Sequence, residues 1–190
     1  VMGFHSYLQQ HSIPLESVMS KVWNKKIFKH IQEHVDQASK DLADERGPCP
    51  DAADYGYNER FSNKTAIAPT ASISIICGGA SPGVEPVAAN SYTHKTLSGS
   101  FNVRNRYLVE LLEKHGKNTD DVWSEITTNQ GSVSHLDFLT DLEKDVFKTA
   151  FELDQKWIIE LSGDRTPYIS QAQSINLFVP ADIHKRELHK

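Results

Sequence analysis

From Glu16 to Glu45 the apolar residues fall at Ile27, Ile31, Val35, Ala38 and Leu42, a 4-4-3-4 spacing. That spacing returns to one side of a helix with 3.6 residues per turn and predicts a long amphipathic α-helix. Gly47-Pro48-Cys49-Pro50 ends it, because glycine caps helices and proline cannot continue them. A short helix is expected over Met2 to Gln10, with a break at Ile13-Pro14. Asn105 to His115, closed by Gly116, reads as another helix, and Thr119 to Gln130 as a further one. Thr140-Asp141-Leu142-Glu143 has the form of a capping box, in which Thr and Glu satisfy the free amides of a first turn reciprocally. The helix it opens is expected to carry Val146, Ala150, Leu153, Trp157 and Leu161 on one face and to end near Gly163.

Other segments read as extended. Thr65 to Cys77 is expected to be extended backbone around a small-residue turn, Tyr92 to Val103 to be extended, and Ser174 to Val179 (SINLFV) to be a short buried strand closed by Pro180. Asp51 to Asn63, holding Tyr55, Tyr57 and Phe61, and Gly78 to Pro86 read as loops, and a helix is expected to begin at Ala181. Neither repeats nor low-complexity tracts interrupt the pattern. Helices mixed with short apolar strands give an α/β fold class and one domain, or part of one, over residues 1–190.

Composition narrows the partners. At 190 residues, 38% hydrophobic and 24% charged, the chain has the make-up of a water-soluble domain able to bury a core. No apolar run approaches the roughly 20 residues that span a bilayer, so no membrane partner is expected. A net charge of −5 argues against a nucleic-acid surface, which is built on Lys and Arg. A small anion needs only local donors and is not excluded. Cys49 and Cys77 are too few for a disulfide scaffold or a four-cysteine zinc site, and read as reduced thiols of a cytoplasmic protein. Asn63-Lys64-Thr65 matches the glycosylation pattern but has no secretory signal beside it.

Three patterns carry possible chemistry. His30-Ile31-Gln32-Glu33-His34 matches the zinc-peptidase spacing H-x-x-E-H. On a helical wheel centred on Ile31, however, Glu33 points to solvent and Lys25, Lys26 and Lys29 crowd the site, so no metal is assigned. The glycines near Ser81-Pro82-Gly83 fit neither dinucleotide nor P-loop spacing, and no G-x-S-x-G nucleophile elbow is present. The third is the uncharged run APTASISIICGGASPG, Ala68 to Gly83. Small residues let backbone approach a ligand, successive N–H groups can form an anion-binding concavity, and Thr70 and Ser72 add hydroxyl donors. Pro69 stiffens the entry. Physical chemistry alone leaves this run open between an anion loop and a plain turn.

The wider context resembles a known family. AIAPTASISIICGGASPGVEP (Ala66 to Pro86), YTHKTLSGSF (Tyr92 to Phe101), the opening VMGFHSYLQ, LADERGPCPDA (Leu42 to Ala52) and DRTPYISQAQSINLFVPADI (Asp164 to Ile183) occur in the order found in the large, catalytic subunit of ribonucleotide reductase. The resemblance covers essentially the whole chain. It implies the C-terminal half of a ten-stranded α/β barrel with several long amphipathic helices, truncated at both ends. It further implies reduction of ribonucleoside diphosphates to deoxyribonucleoside diphosphates by thiyl-radical chemistry, for DNA replication. The family's substrate-phosphate loop, a Pro-Thr-Ala-Ser-Thr turn, falls on Pro69, Thr70, Ala71, Ser72 and Ile73, with Ile73 departing from the hydroxyl version.

The resemblance implies equally what these residues do not carry. The finger-loop Asn-x-Cys-x-Glu with the radical cysteine, the redox-active barrel cysteines, the paired radical-relay tyrosines, the tail cysteines and the allosteric nucleotide region all match nothing in this sequence. Cys49 and Cys77 are accordingly assigned structural roles. No catalytic residue, metal or directly bound cofactor is expected in this piece, which would be inactive alone. The implied partners are the remainder of the large subunit, a diiron/tyrosyl-radical small subunit, ribonucleoside diphosphate, ATP and dNTP effectors, and thioredoxin or glutaredoxin. The alternatives are an adenosylcobalamin-dependent (class II) reductase fragment and a non-catalytic interaction fragment.

Overall fold

The computed structural model describes residues 1–96 and 99–189. Leu97 and Ser98, within the segment expected to be extended, and the final Lys190 lie outside the described residues. Short α1 (Phe4–Gln10) precedes the long α2 (Val18–Arg46). Helix α2 opens at Ser17, whose side chain accepts the Ser20 N–H at 3.1 Å, and closes at Gly47 with φ 80°. Short helices α3 (Pro50–Asp54) and α4 (Ala71–Ile76) follow, then the strands β1 (Ser91–Thr96) and β2 (Gly99–Arg104). The strands pair antiparallel in a hairpin, Ser91 opposite Arg104 and Thr96 opposite Gly99. Helices α5 (Arg106–Lys114), α6 (Asp120–Thr128), α7 (Asp141–Val146), α8 (Gln155–Arg165) and α9 (Lys185–Leu188) complete the chain. Among the described residues no helix is long and apolar enough to cross a membrane.

Apolar side chains gather in two clusters. One joins α5, α6 and α7 through Leu108, Leu112, Trp123, Ile126 and Val146. The other joins α1, α2 and α8 through Phe4, Leu8, Phe28 and Leu161, and takes in Ile67 and Val84 from the loops that flank the candidate site. The two are linked by a buried amide chain. Asn105 donates to Gln9 Oε1 at 2.9 Å and to Asn90 Oδ1 at 2.8 Å, and Asn90 donates to the Phe147 carbonyl at 2.7 Å.

The structure departs from the sequence pattern in four places. On α2, the predicted stripe of Ile27, Ile31 and Val35 is only half-buried and Ala38 is exposed, while Asn24, Phe28, Ser39 and Ala43 are buried. The contact line follows small and hydrogen-bonding residues: Asn24 donates to the Leu161 carbonyl at 2.8 Å, and Ser39 Oγ accepts the Arg60 and Phe61 N–H groups at 3.1 and 3.2 Å. The single helix expected from Thr140 to Gly163 is two. The capping box at Thr140 and Glu143 is present, but the helix stops at Phe147. Glu152 then accepts the Thr149 N–H and hydroxyl at 2.8 and 2.9 Å, and Asp154 starts α8 by accepting the Lys156 N–H at 3.0 Å.

The run Thr65 to Cys77 is not extended throughout, since Ala71–Ile76 is helical. Nor is SINLFV a buried strand. Residues 65–67 and 171–174 meet side by side through one parallel bridge, Ile67 to Gln173, with the Ile67 N–H donating to Ala172 O at 3.2 Å and the Ser174 N–H to Ile67 O at 2.8 Å. Beyond it, side chains replace a ladder: Glu85 Oε1 accepts from the Asn176 N–H at 3.0 Å, and Gln155 Oε1 accepts from the Phe178 N–H at 2.8 Å. Leu177 is 50% exposed. The α/β class therefore holds, but the described residues carry two strands and do not close a barrel. Among them only α2, at 29 residues, is a long helix.

Candidate functional site: an uncharged anion-type loop

Buried Ile67 and its parallel partner fix the direction in which the chain enters the loop. Pro69 follows, and at Thr70 the backbone turns into the left-handed region, φ 53° and ψ 23°. A β-branched residue rarely adopts this conformation, which persists only where the surroundings over-determine it. The turn reverses the chain into α4: the Thr70 carbonyl accepts the Ser74 N–H at 2.8 Å, and buried Ser74 donates its hydroxyl to Ala71 O at 2.8 Å. No side chain caps this helix start. The first-turn N–H groups of Ala71, Ser72 and Ile73 thus have no partner within the helix, and all three residues are exposed.

The structure brings the five sequence-predicted residues, Pro69 to Ile73, into one exposed turn. Ile73 is 52% exposed and adds no hydroxyl; what it offers is its backbone N–H. The turn is braced from behind by a residue the sequence reading passed over. Gly83 donates its N–H to Thr70 Oγ1 at 2.7 Å. Its only advance signal was a glycine in a Ser-Pro-Gly turn.

Beside α4 lies a cleft of about 710 Å³ lined by Ala71, Ser74, Ile75, Gly78, Asn105 and Arg106, among others. Arg106 is the cationic group near the far end of α4, its guanidinium 4.8 Å over the Tyr107 ring and donating to the Tyr107 hydroxyl at 2.6 Å. Arg104 is engaged by Asp120 at 2.8 Å and lies 5.0 Å over the Trp123 ring. The wall behind the site holds a second titratable group: fully buried His5 accepts the Val87 N–H at 3.1 Å, and burial lowers its pKa to about 4. Its imidazole is neutral at physiological pH.

The remaining candidates stand apart from this turn. His30 and His34 stack at 4.0 Å between ring centroids on the exposed side of α2, and Glu33 pairs with Lys29 at 3.8 Å. Cys49 is half-buried at the start of α3 and Cys77 is exposed at the end of α4, both as free thiols.

These features define an α/β protein with an uncharged turn, Pro69 to Ile73, beside a cleft. Comparison with known proteins gives the family. The family profile described as "Ribonucleotide reductase, barrel domain" matches residues 1–59 and 52–190. The ribonucleoside-diphosphate reductase large subunit of Invertebrate iridescent virus 6 is 49% identical over 193 residues, covering 100% of this chain and 20% of the viral protein. That of Invertebrate iridescent virus 3 is 44% identical over 192 residues, covering 100% of this chain and 30% of its own. Among solved structures, the Actinobacillus ureae class Id ribonucleotide reductase alpha subunit superposes with a TM-score of 0.90 at 40% identity, covering 100% of this chain and 34% of that one. The chain belongs to the ribonucleotide reductase barrel-domain family, and it spans between a fifth and about a third of these relatives.

Proposed function

We propose that this chain forms part of the catalytic large subunit of a class I ribonucleoside-diphosphate reductase, and that Pro69 to Ile73 binds the diphosphate of the substrate. The observation that carries the reading is the left-handed turn at Thr70, which presents three first-turn N–H groups and two hydroxyls in a run, Ala68 to Gly83, that contains no carboxylate. Oriented backbone dipoles of this kind favour an oxyanion without a lysine. The pairing of residues 65–67 with 171–174 supports the finer architectural reading, in which these segments are adjacent parallel strands of the family's ten-stranded barrel and the whole chain is one piece of that domain.

In this reading the loop anchors and orients the nucleotide, and the radical chemistry comes from elsewhere. The 190 residues contain no Asn-x-Cys-x-Glu, so the radical cysteine is assigned to the remainder of the subunit. A small subunit supplies the radical in its diiron/tyrosyl form, thioredoxin or glutaredoxin supplies electrons, and ATP and dNTP effectors regulate the assembly in the cytoplasm. The class I description of the structural relative favours this over the adenosylcobalamin-dependent alternative. The test is reconstitution: this chain is combined with the remainder of the large subunit and a small subunit, and deoxyribonucleotide formation is measured. Activity that requires this chain supports the reading. An active assembly whose substrate affinity is indifferent to Ala71→Trp rejects the phosphate assignment. Metal analysis of the small subunit tests the diiron form.

A further inference from the structure

A hydroxyl has one proton to donate and lone pairs that accept. At Thr70 one lone pair is taken, since Oγ1 receives the Gly83 N–H at 2.7 Å. Among the described residues no protein group accepts the remaining proton of Thr70. Thr70 therefore holds its oxygen in place and keeps its proton available to a ligand, the donor that an oxyanion requires.

Gly83 is held in place for this from both sides. It is buried, with φ +49°, and a Cβ there would lie 2.9 Å from the Ala68 carbonyl oxygen, so no side chain fits without moving the loop backbone. Two residues earlier, Ser81 exchanges hydrogen bonds with Ser6 of α1: the Ser6 N–H donates to Ser81 Oγ at 3.1 Å, and the Ser81 N–H donates to Ser6 Oγ at 2.8 Å. Two residues later, the Glu85 N–H donates to Pro82 O at 3.0 Å, and the Glu85 carboxylate holds the Asn176 side-chain amide at 2.8 Å. Residues 81–85 thus form a brace fixed to α1 on one side and to residue 176 on the other, and Gly83 is where the brace touches the loop.

We propose that Gly83 is a positioning residue for the anion loop. Its N–H fixes the position of Thr70 Oγ1 and leaves the hydroxyl proton available to the ligand, and its missing side chain lets the brace approach Ala68. The proposal rests on the reading of Pro69 to Ile73 as the loop that takes the diphosphate. Gly83 does not touch substrate; it acts through Thr70.

The experiment uses the full-length large subunit with its small subunit, and measures KM and kcat for cytidine diphosphate together with the thermal midpoint. Four variants are compared: Thr70→Gly, Thr70→Ser, Gly83→Ala and Ala71→Trp. Thr70→Gly suits the left-handed turn but deletes the hydroxyl. KM is expected to rise roughly 10- to 100-fold, the range for one hydrogen bond to a charged group, with a smaller fall in kcat; on the thermal midpoint, relief of the left-handed strain opposes the loss of an acceptor for the Gly83 N–H. Thr70→Ser is expected to restore the low KM, and Gly83→Ala to raise it as Thr70→Gly does. If Gly83→Ala does not fold, the Thr70 pair carries the test. A wild-type KM in a folded Gly83→Ala or in Thr70→Gly, or an equal rise in Thr70→Ser, overturns the role of Gly83 while a raised KM in Ala71→Trp leaves the phosphate reading standing. An unchanged KM in Ala71→Trp overturns that reading, and this inference with it.

Discussion

His5 and Arg165 show what single buried polar groups do here. The His5 pKa falls to about 4 because burial disfavours the charged ring. The unfolded chain, with a histidine pKa near 6.5, binds this proton more readily than the folded one between those values. His5 therefore costs nothing above about pH 6.5, and destabilises the fold as pH drops toward 4, by up to about 3 kcal/mol. Acid titration of the unfolding transition is expected to show this slope, and His5→Gln to remove its share of it. Arg165 is almost fully buried, 5.4 Å over Phe4 and 5.5 Å over Phe28, and desolvation lowers its pKa to about 10. Its Nε donates to Asn24 Oδ1 at 2.9 Å, while Nη1 finds no hydrogen-bond partner among the described residues. Asn24→Ala would leave the buried Arg165 Nε without its acceptor, and is expected to cost about 3 kcal/mol in denaturant unfolding. None of this was legible in the periodicity, which marked Ile27, Ile31 and Val35 as the buried side of α2. The helix instead packs along Ser20, Asn24, Phe28, Ser39 and Ala43, a line in which one aromatic ring sits among small and hydrogen-bonding residues.

Elements with strong end signals were legible, and those decided by tertiary contacts were not. Gly47, Gly116 and the capping box at Thr140 end or start helices where the pattern placed them. Thr140→Ala is expected to cost about 1 kcal/mol, read as faster amide exchange in α7. The break between α7 and α8 was hidden because Val146, Ala150 and Leu153 continue a helical spacing through it. Its true signals were a second Thr-x-x-Glu at Thr149 and the cap at Asp154. The helical turn of α4 was hidden by its β-branched isoleucines, and Ile76 is 84% exposed. Ser174 to Val179 read as a strand from composition, yet beyond Ser174, whose N–H goes to Ile67 O, the Asn176 and Phe178 N–H groups go to Glu85 and Gln155. Glu85→Ala is expected to accelerate hydrogen exchange at the Asn176 amide more than at α8, which a map of exchange rates would resolve.

At the scale of the whole molecule, two apolar clusters joined through Asn90 and Asn105 hold a braced, uncharged turn at the surface. The five residues of that turn were legible in the sequence because their flanking segments resemble a family. Their geometry was not legible: a threonine in the left-handed region, fixed by a glycine 13 residues away, is a tertiary fact. The measurement that bears most directly on the account is equilibrium binding of a ribonucleoside diphosphate to the assembled large subunit, wild type against Ser72→Pro. The substitution deletes one first-turn N–H and the Ser72 hydroxyl, in the first turn of a helix where proline is tolerated. A loss of affinity of about tenfold or more is predicted, with the fold retained. Undiminished binding by a folded Ser72→Pro subunit would contradict the assignment of this loop to the substrate diphosphate.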